Sequence, residues 1–399
     1  MRNLPVSEAD RGKYIIVFTF LLVFVLGFIA CAEPPPDLPP NPELPIGMLR
    51  PPIPPVGSFL DDWTYLGVPM GDYYVQEIAV DREDDRILYT NSQRGLYVSH
   101  DGGLSWKLAV AVKYPGSDGG GGGVIAQDPH TVDRVFYGRL NELHVSIDRG
   151  LTWKLVSKID STVGFKSLVV SNLDPHTIYS GTVARKQQNQ PKGMFYRSED
   201  DGVTWQTFPY CPPVSMYSED IFLPWALAED PVCGILYIGG EVSRYNYFAE
   251  IPGWPFLRSI DGGETWEDID PGLGIAVKII IDPDSSNVFV KPEGNYVWLS
   301  TDFGLTWRRV SNSGVVPHGS FARDHYRADT FYSGLHAFQS PVTGKLVANG
   351  GALISTDGAE TWNLFGLDGF AVDSPVLNGD ASRLFVVSFG TGIFSRPLP

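Results

Sequence analysis

Outside the first thirty residues, apolar positions fall in short runs broken by turn residues, and no long helical periodicity appears. One set of runs includes GLYVS (95–99), GMFYRS (193–198) and YVWLS (296–300). A second set precedes it, as in RVFYG (134–138) and TIYSG (177–181). Earlier still in each unit comes a strand closing on an Asp-Pro turn: Asp128-Pro129, Asp174-Pro175, Asp230-Pro231 or Asp282-Pro283. The N-terminus differs. There Arg2, Arg11 and Lys13 precede one apolar run, Tyr14 to Ala30, and then Cys31.

After the first set of runs comes a repeated octapeptide. It reads SHDGGLSW (99–106), SIDRGLTW (146–153), SEDDGVTW (198–205), SIDGGETW (259–266), STDFGLTW (300–307) and STDGAETW (355–362). Five copies follow Ser-x-Asp-x-Gly-x-Ser/Thr-Trp throughout, and the sixth has Ala359 in place of Gly. A recurring unit of this length signals a repeat architecture. The motif resembles the Asp-box (BNR-repeat) propeller family, in which it forms the turn between the third and fourth strands of a blade. The chemistry suits that place. The carboxylate accepts hydrogen bonds from the turn, the Gly takes a positive φ, and the Trp fills the wedge between blades. The resemblance therefore implies a structural role for Asp101, Trp106, Asp148, Trp153, Asp200, Trp205, Asp261, Trp266, Asp302, Trp307, Asp357 and Trp362.

Each repeat reads as strands A to D, with the box between C and D. After the last box, LFVVS (384–388) and GIFSR (392–396) continue the pattern without another box. At the other end, DDWTYLG (61–67) looks like the tail of a box followed by a D strand, with Trp63 as its Trp. The expected fold is all-β: a seven-bladed propeller of four-stranded antiparallel blades over residues 58–399, closed by an N-terminal strand in the last blade. That is ~340 residues, or ~49 per blade.

The A–B and C–D turns should share one face, and the B–C and D–A connections the other. The long segments all fall on the second face: 113–123, 183–193, 209–222, 240–256 and 334–350. Variable loops held on one face of a rigid scaffold are the usual place for a site. The candidate binding residues are Tyr217, Arg244, Tyr245, Tyr247, Glu250, Trp254, Phe256 and His336, aromatics suited to a sugar ring or a protein partner together with polar neighbours. The alternative is that this loop packs its aromatics into a small core of its own. Asp118, Glu219, Asp220, Glu241, Glu250 and Glu293 are the loop-face carboxyls. Gly119–Gly123 reads as a flexible connection, because no Lys-Ser/Thr follows it as in a phosphate loop. No HExxH, zinc spacing or GxSxG occurs, so neither metal nor cofactor is expected. Cys211 and Cys233 would form a disulfide only if a long loop folded down the side, since the topology puts them on opposite faces.

Residues 1–30 read as a signal peptide or an anchor. The segment FIAC (28–31) resembles a bacterial lipobox, which implies cleavage before Cys31 and lipidation of its thiol. An uncleaved anchor helix is the alternative. Residues 31–57 hold a stalk; half of Pro34–Pro55 is proline, which favours an extended polyproline chain of roughly 70 Å. Both readings place the domain in a bacterial cell envelope, facing the periplasm or the exterior. A formal net charge of −16 argues against a nucleic-acid partner.

The family resemblance leaves function open. Asp-box propellers include sialidases, xyloglucan-type endoglucanases, sortilin-like receptors and a photosystem II assembly factor. The chain lacks the Arg-Ile-Pro segment usual in sialidases. It also carries one propeller, where the xyloglucan enzymes join two around a cleft. The expectation is a membrane-tethered binding or assembly module that grips a protein or glycan at its loop face. The alternative is a glycoside hydrolase, whose chemistry needs two carboxyls flanking the scissile bond.

Overall fold

The structure is a computed structural model. It describes residues 53–399 apart from 70–74, 76, 113–121, 185–193, 210–219, 245–253, 293–295, 311–319 and 340–345. The N-terminal segment, Cys31 and the stalk up to residue 52 lie outside the described residues.

All described strands fall into seven antiparallel sheets. Blades 1 to 6 span residues 77–111, 124–158, 163–209, 220–268, 276–309 and 321–366. Blade 7 takes Val372–Leu377, Arg383–Ser388 and Gly392–Pro397 as strands A to C, and Trp63–Gly67 as strand D. The ring closes as expected, with Thr64 opposite Ser395 and Tyr65 opposite Phe394. A short fifth strand, Phe59–Leu60, lies outside strand D.

The core is not central; it is distributed. Seven buried apolar clusters each join residues of two neighbouring blades, one cluster for every interface of the ring. Each box Trp sits in one of them, packed toward the preceding blade, and Trp63 does the same between blades 6 and 7. Wedge-shaped gaps between twisted sheets need large flat side chains, which accounts for the aromatic content.

The A–B turns share a face with the boxes. Backbone bonds from Gly102 to Arg86, Arg149 to Asp133, Asp201 to His176 and Gly358 to Asp329 join the two turns within a blade. Arginines then staple blade to blade on this face. Arg149 pairs with Glu83 at 2.8 Å, Arg134 with Asp201 at 2.8 Å, and Arg383 with Asp85 at 3.1 Å. The last pair crosses from blade 7 to blade 1.

Three expectations need correction. First, 240–256 and 334–350 are not simply loops. Strand B of blade 4 runs Leu236–Arg244, and blade 6 forms a long hairpin of Phe331–Gln339 with Leu346–Ser355. Second, Asp174-Pro175 is not equivalent to the other Asp-Pro turns. Its Ser171 occupies the position held elsewhere by Asp81, Asp128, Asp230, Asp282 and Asp324, the residue whose N–H closes the A–B turn. Ser171 Oγ accepts the turn N–H groups in place of a carboxylate. Third, Phe256 opens strand C of blade 4 and is fully buried.

Candidate functional site

Strand A is the innermost strand of each blade and runs from the loop face to the turn face. The seven are Glu77–Val80, Val124–Gln127, Val163–Val170, Asp220–Glu229, Ala276–Ile281, Phe321–Arg323 and Val372–Leu377. Their sequences are largely apolar, so each polar residue is conspicuous. Counted back from the residue that closes the A–B turn, Glu77 and Lys278 stand four positions before it, and Lys166, Trp225 and Asp373 five. Bulges explain the extra residue, since the register slips between Phe165 and Ser167, Leu223 and Ala226, and Asp373 and Val376. Blades 7, 1, 3, 4 and 5 thus bring charged or aromatic side chains to one level.

Two of the charges at this level sense one another. Lys278 is exposed and acts electrostatically on Glu77, although blades 1 and 5 are not neighbours in the ring. That interaction runs across the central axis. Burial pushes the Glu77 carboxyl up to about 7, against the opposing pull of Lys278 and of a hydrogen bond with the Ile125 backbone. Asp373 moves the other way. Burial raises it, but His336 and the N–H groups of Ser320 and Ser374 outweigh burial and leave the carboxyl below its usual range. Ser320 N–H donates to Asp373 Oδ1 at 2.8 Å, and His336 Nε2 lies 3.4 Å from Oδ2. Lys166 Nζ stands 3.5 Å above the Trp225 ring centre, a cation–π contact between blades 3 and 4.

The residues singled out from sequence fare unevenly. Tyr217, Tyr245, Tyr247 and Glu250 lie outside the described residues, as do Asp118, Glu219 and Glu293. Arg244 ends strand B of blade 4 opposite Asp220. Trp254 is half-buried, just ahead of strand C. Phe256 is a core residue, edge-on to Trp307 at 5.5 Å, and offers nothing to a ligand. His336 is buried on strand B of blade 6, where it braces Asp373 rather than standing on a loop. Cys233 is exposed on an A–B turn, and Cys211 falls outside the described residues. The belt of Glu77, Lys166, Trp225, Lys278 and Asp373 was missed. The available signal was a single polar residue, or a Trp, inside an apolar inner strand a fixed distance before the turn.

The boxes are built alike. In the first, Ser99 Oγ donates to Asp101 Oδ1 at 2.8 Å and accepts from Gly103 N–H at 2.8 Å, while Ser105 donates its N–H and its hydroxyl to Asp101. The same bonds recur at Asp148, Asp200, Asp261, Asp302 and Asp357. Hydrogen bonds led by the Thr306 hydroxyl hold Asp302 down to about 2. These carboxylates serve the turn. Residues 97–108 match the BNR/Asp-box repeat. The chain is an Asp-box β-propeller.

This propeller is 29% identical over 276 residues to the xyloglucanase Xgh74A of Acetivibrio thermocellus, a stretch covering 64% of this chain and 27% of that protein. The chain therefore matches little more than a quarter of that relative's length. Among solved structures, YCF48 from Cyanidioschyzon merolae superposes with a TM-score of 0.56 at 14% identity, covering 84% of this chain and 99% of that one. A structure of YCF48 bound to D1 peptide gives 0.54 at 14% identity, covering 87% and 99%. These likenesses concern the fold. Among the described residues of the Asp-box propeller, no three His, Cys, Asp or Glu side chains gather as a metal ion would require. The chemistry available at the belt is that of donors, acceptors and one aromatic face.

Proposed function

We propose that this propeller is a binding module that grips an extended polymer, polypeptide or glycan, at its loop face, with the belt as the charged floor of the site. The observation that carries this reading is the convergence of Glu77, Lys166, Trp225, Lys278 and Asp373 from five blades at one level, beneath the loop face. A turn or a core needs no such ring of mixed charge. Recognition does, because it must satisfy polar groups of a partner while excluding water. The fold shared with YCF48, seen bound to a peptide, supports the same use of the scaffold. In this proposal the module is held outside a bacterial membrane by a lipid on Cys31 or by the apolar 14–30 segment, and the proline-rich stalk sets its distance.

A second reading rests on a different observation. Glu77 and Asp373 belong to adjoining blades of the closed ring, and their environments push them apart, one toward a proton held near neutrality and the other toward the ionised form. That split is what an acid–base pair in glycoside hydrolysis requires, and the xyloglucanase relative supports the substrate class. One experiment separates the readings. The protein is incubated with xyloglucan, and both retention and newly released reducing ends are followed. Retention without release, weakened in Lys278→Met, supports the binding module. Release abolished in both Glu77→Gln and Asp373→Asn overturns it in favour of the hydrolase.

A further inference from the structure

A groove of about 370 Å³ opens between blades 2 and 3, lined by the connection that joins them and by the third box with its flanking strands. Its size falls within the range of small-ligand clefts, roughly 300–1,000 Å³. The half-buried indole of Trp205 forms one wall. It is held in place by its Nε1–H donated to Ser157 Oγ at 3.1 Å, by Phe165, tilted against it at 5.8 Å, and by Tyr196, edge to face at 6.3 Å. A ring fixed on these sides cannot swing away, and it still carries exposed surface toward the groove.

Polar groups line the rest. Asp160 Oδ1 accepts both the N–H and the hydroxyl of Thr162, at 2.8 Å each, and Oδ2 accepts no bond from a described residue. The Thr207 hydroxyl, exposed on strand D of blade 3, likewise has no described partner. Lys158 stands at the rim with its Nζ 2.6 Å from Glu142, leaving further N–H groups for a ligand. An aromatic wall beside a free acceptor, a free hydroxyl and a cationic donor is the arrangement that takes a pyranose, whose C–H face packs on a ring while its hydroxyls both donate and accept. Lys158 is already neutralised by Glu142, and Asp160 adds negative charge, so the groove disfavours an anionic sugar.

We propose that the groove between blades 2 and 3 is a binding site for a neutral oligosaccharide, separate from the belt on the inner strands. The site engages one or two sugar rings, with Trp205 as platform and Asp160 and Thr207 as the hydrogen-bonding pair.

The test is saturation-transfer NMR and calorimetric titration of the full-length chain with cellotetraose, a xyloglucan heptasaccharide and maltotetraose. Two exposed positions are varied, Thr207→Arg to occlude the groove and Asp160→Ala to remove its acceptor, and folding is checked by thermal melting. The expected result is binding of at least one oligosaccharide, weakened about tenfold by each variant, a loss of about 1.4 kcal/mol. Binding that both variants leave intact overturns the groove and puts the sugar elsewhere on the protein. No binding of any of the three at millimolar concentration overturns the proposal outright, while leaving a peptide at the loop face untouched.

Discussion

Position five of the box poses the same backbone problem six times, and the chain answers with Gly five times and Ala once. Gly103, Gly150, Gly202, Gly263 and Gly304 have φ between +84° and +90°, and Ala359 has +70°. A side chain in this region costs about 1–2 kcal/mol. Space then decides the rest. A Cβ on Gly263 would fall 2.0 Å from Phe195 Cε1. The methyl of Ala359 is instead buried within a cluster that has room for it. Gly263→Ala should therefore lose about 3 kcal/mol, the φ penalty plus overpacking. Ala359→Gly should stay within about 1 kcal/mol of wild type, because relieved strain is offset by a lost methyl contact and a freer unfolded chain. Urea midpoints of the two variants decide the matter, and a fully stable Gly263→Ala would show that the box is looser than its geometry.

For the inner strands, the consequence is a dependence on pH. Glu77 has a folded pKa of about 7, above its ordinary 4.5. Stability from a raised carboxyl is fully present below the unfolded value and is lost as pH rises through the folded one. Wild type should thus weaken between about pH 4.5 and 8 relative to Glu77→Gln, by up to about 3 kcal/mol. The charge that acts on Glu77 is Lys278, across the axis, and Asp373 on the adjoining blade 7 is held below its usual range. Asp373 is ionised throughout this window, so the transition belongs to Glu77. Unfolding free energies at pH 5 and pH 8 for both proteins test it, and parallel curves would refute it. This part of the molecule was also the least legible in sequence. Strand existence followed from apolar runs and the box, because both are local. Which side chains reach the axis did not, because one bulged residue rotates everything before it, as between Leu223 and Ala226. The same limit misplaced His336 and Phe256: an aromatic or imidazole near a loop looks available until strand length shows it turned into an interface.

At the scale of the molecule, the ring depends on a strand that comes from the far end of the chain. Trp63 is fully buried, its Nε1–H donates to Phe365 O at 3.2 Å, and Arg396 reaches the same carbonyl while pairing with Asp62. Trp63→Ala should cost about 3–5 kcal/mol and lower the melting temperature of the whole domain rather than of one blade, since every interface is shared. A melt that split into two transitions would show instead that blade 7 opens independently. The closing strand was readable because DDWTYLG keeps the box Trp, whereas the fifth strand at Phe59–Leu60 carried no such mark. The seam also separates the order of blades from the order of the chain. Arg396 stands beside Trp63 where every other blade has Ser and Trp joined by six residues. A box turn inserted there would make blade 7 continuous and allow the chain to be cut at any other surface turn. Such circular permutants should fold to the same seven blades, because the architecture has a fixed neighbourhood but no fixed starting point.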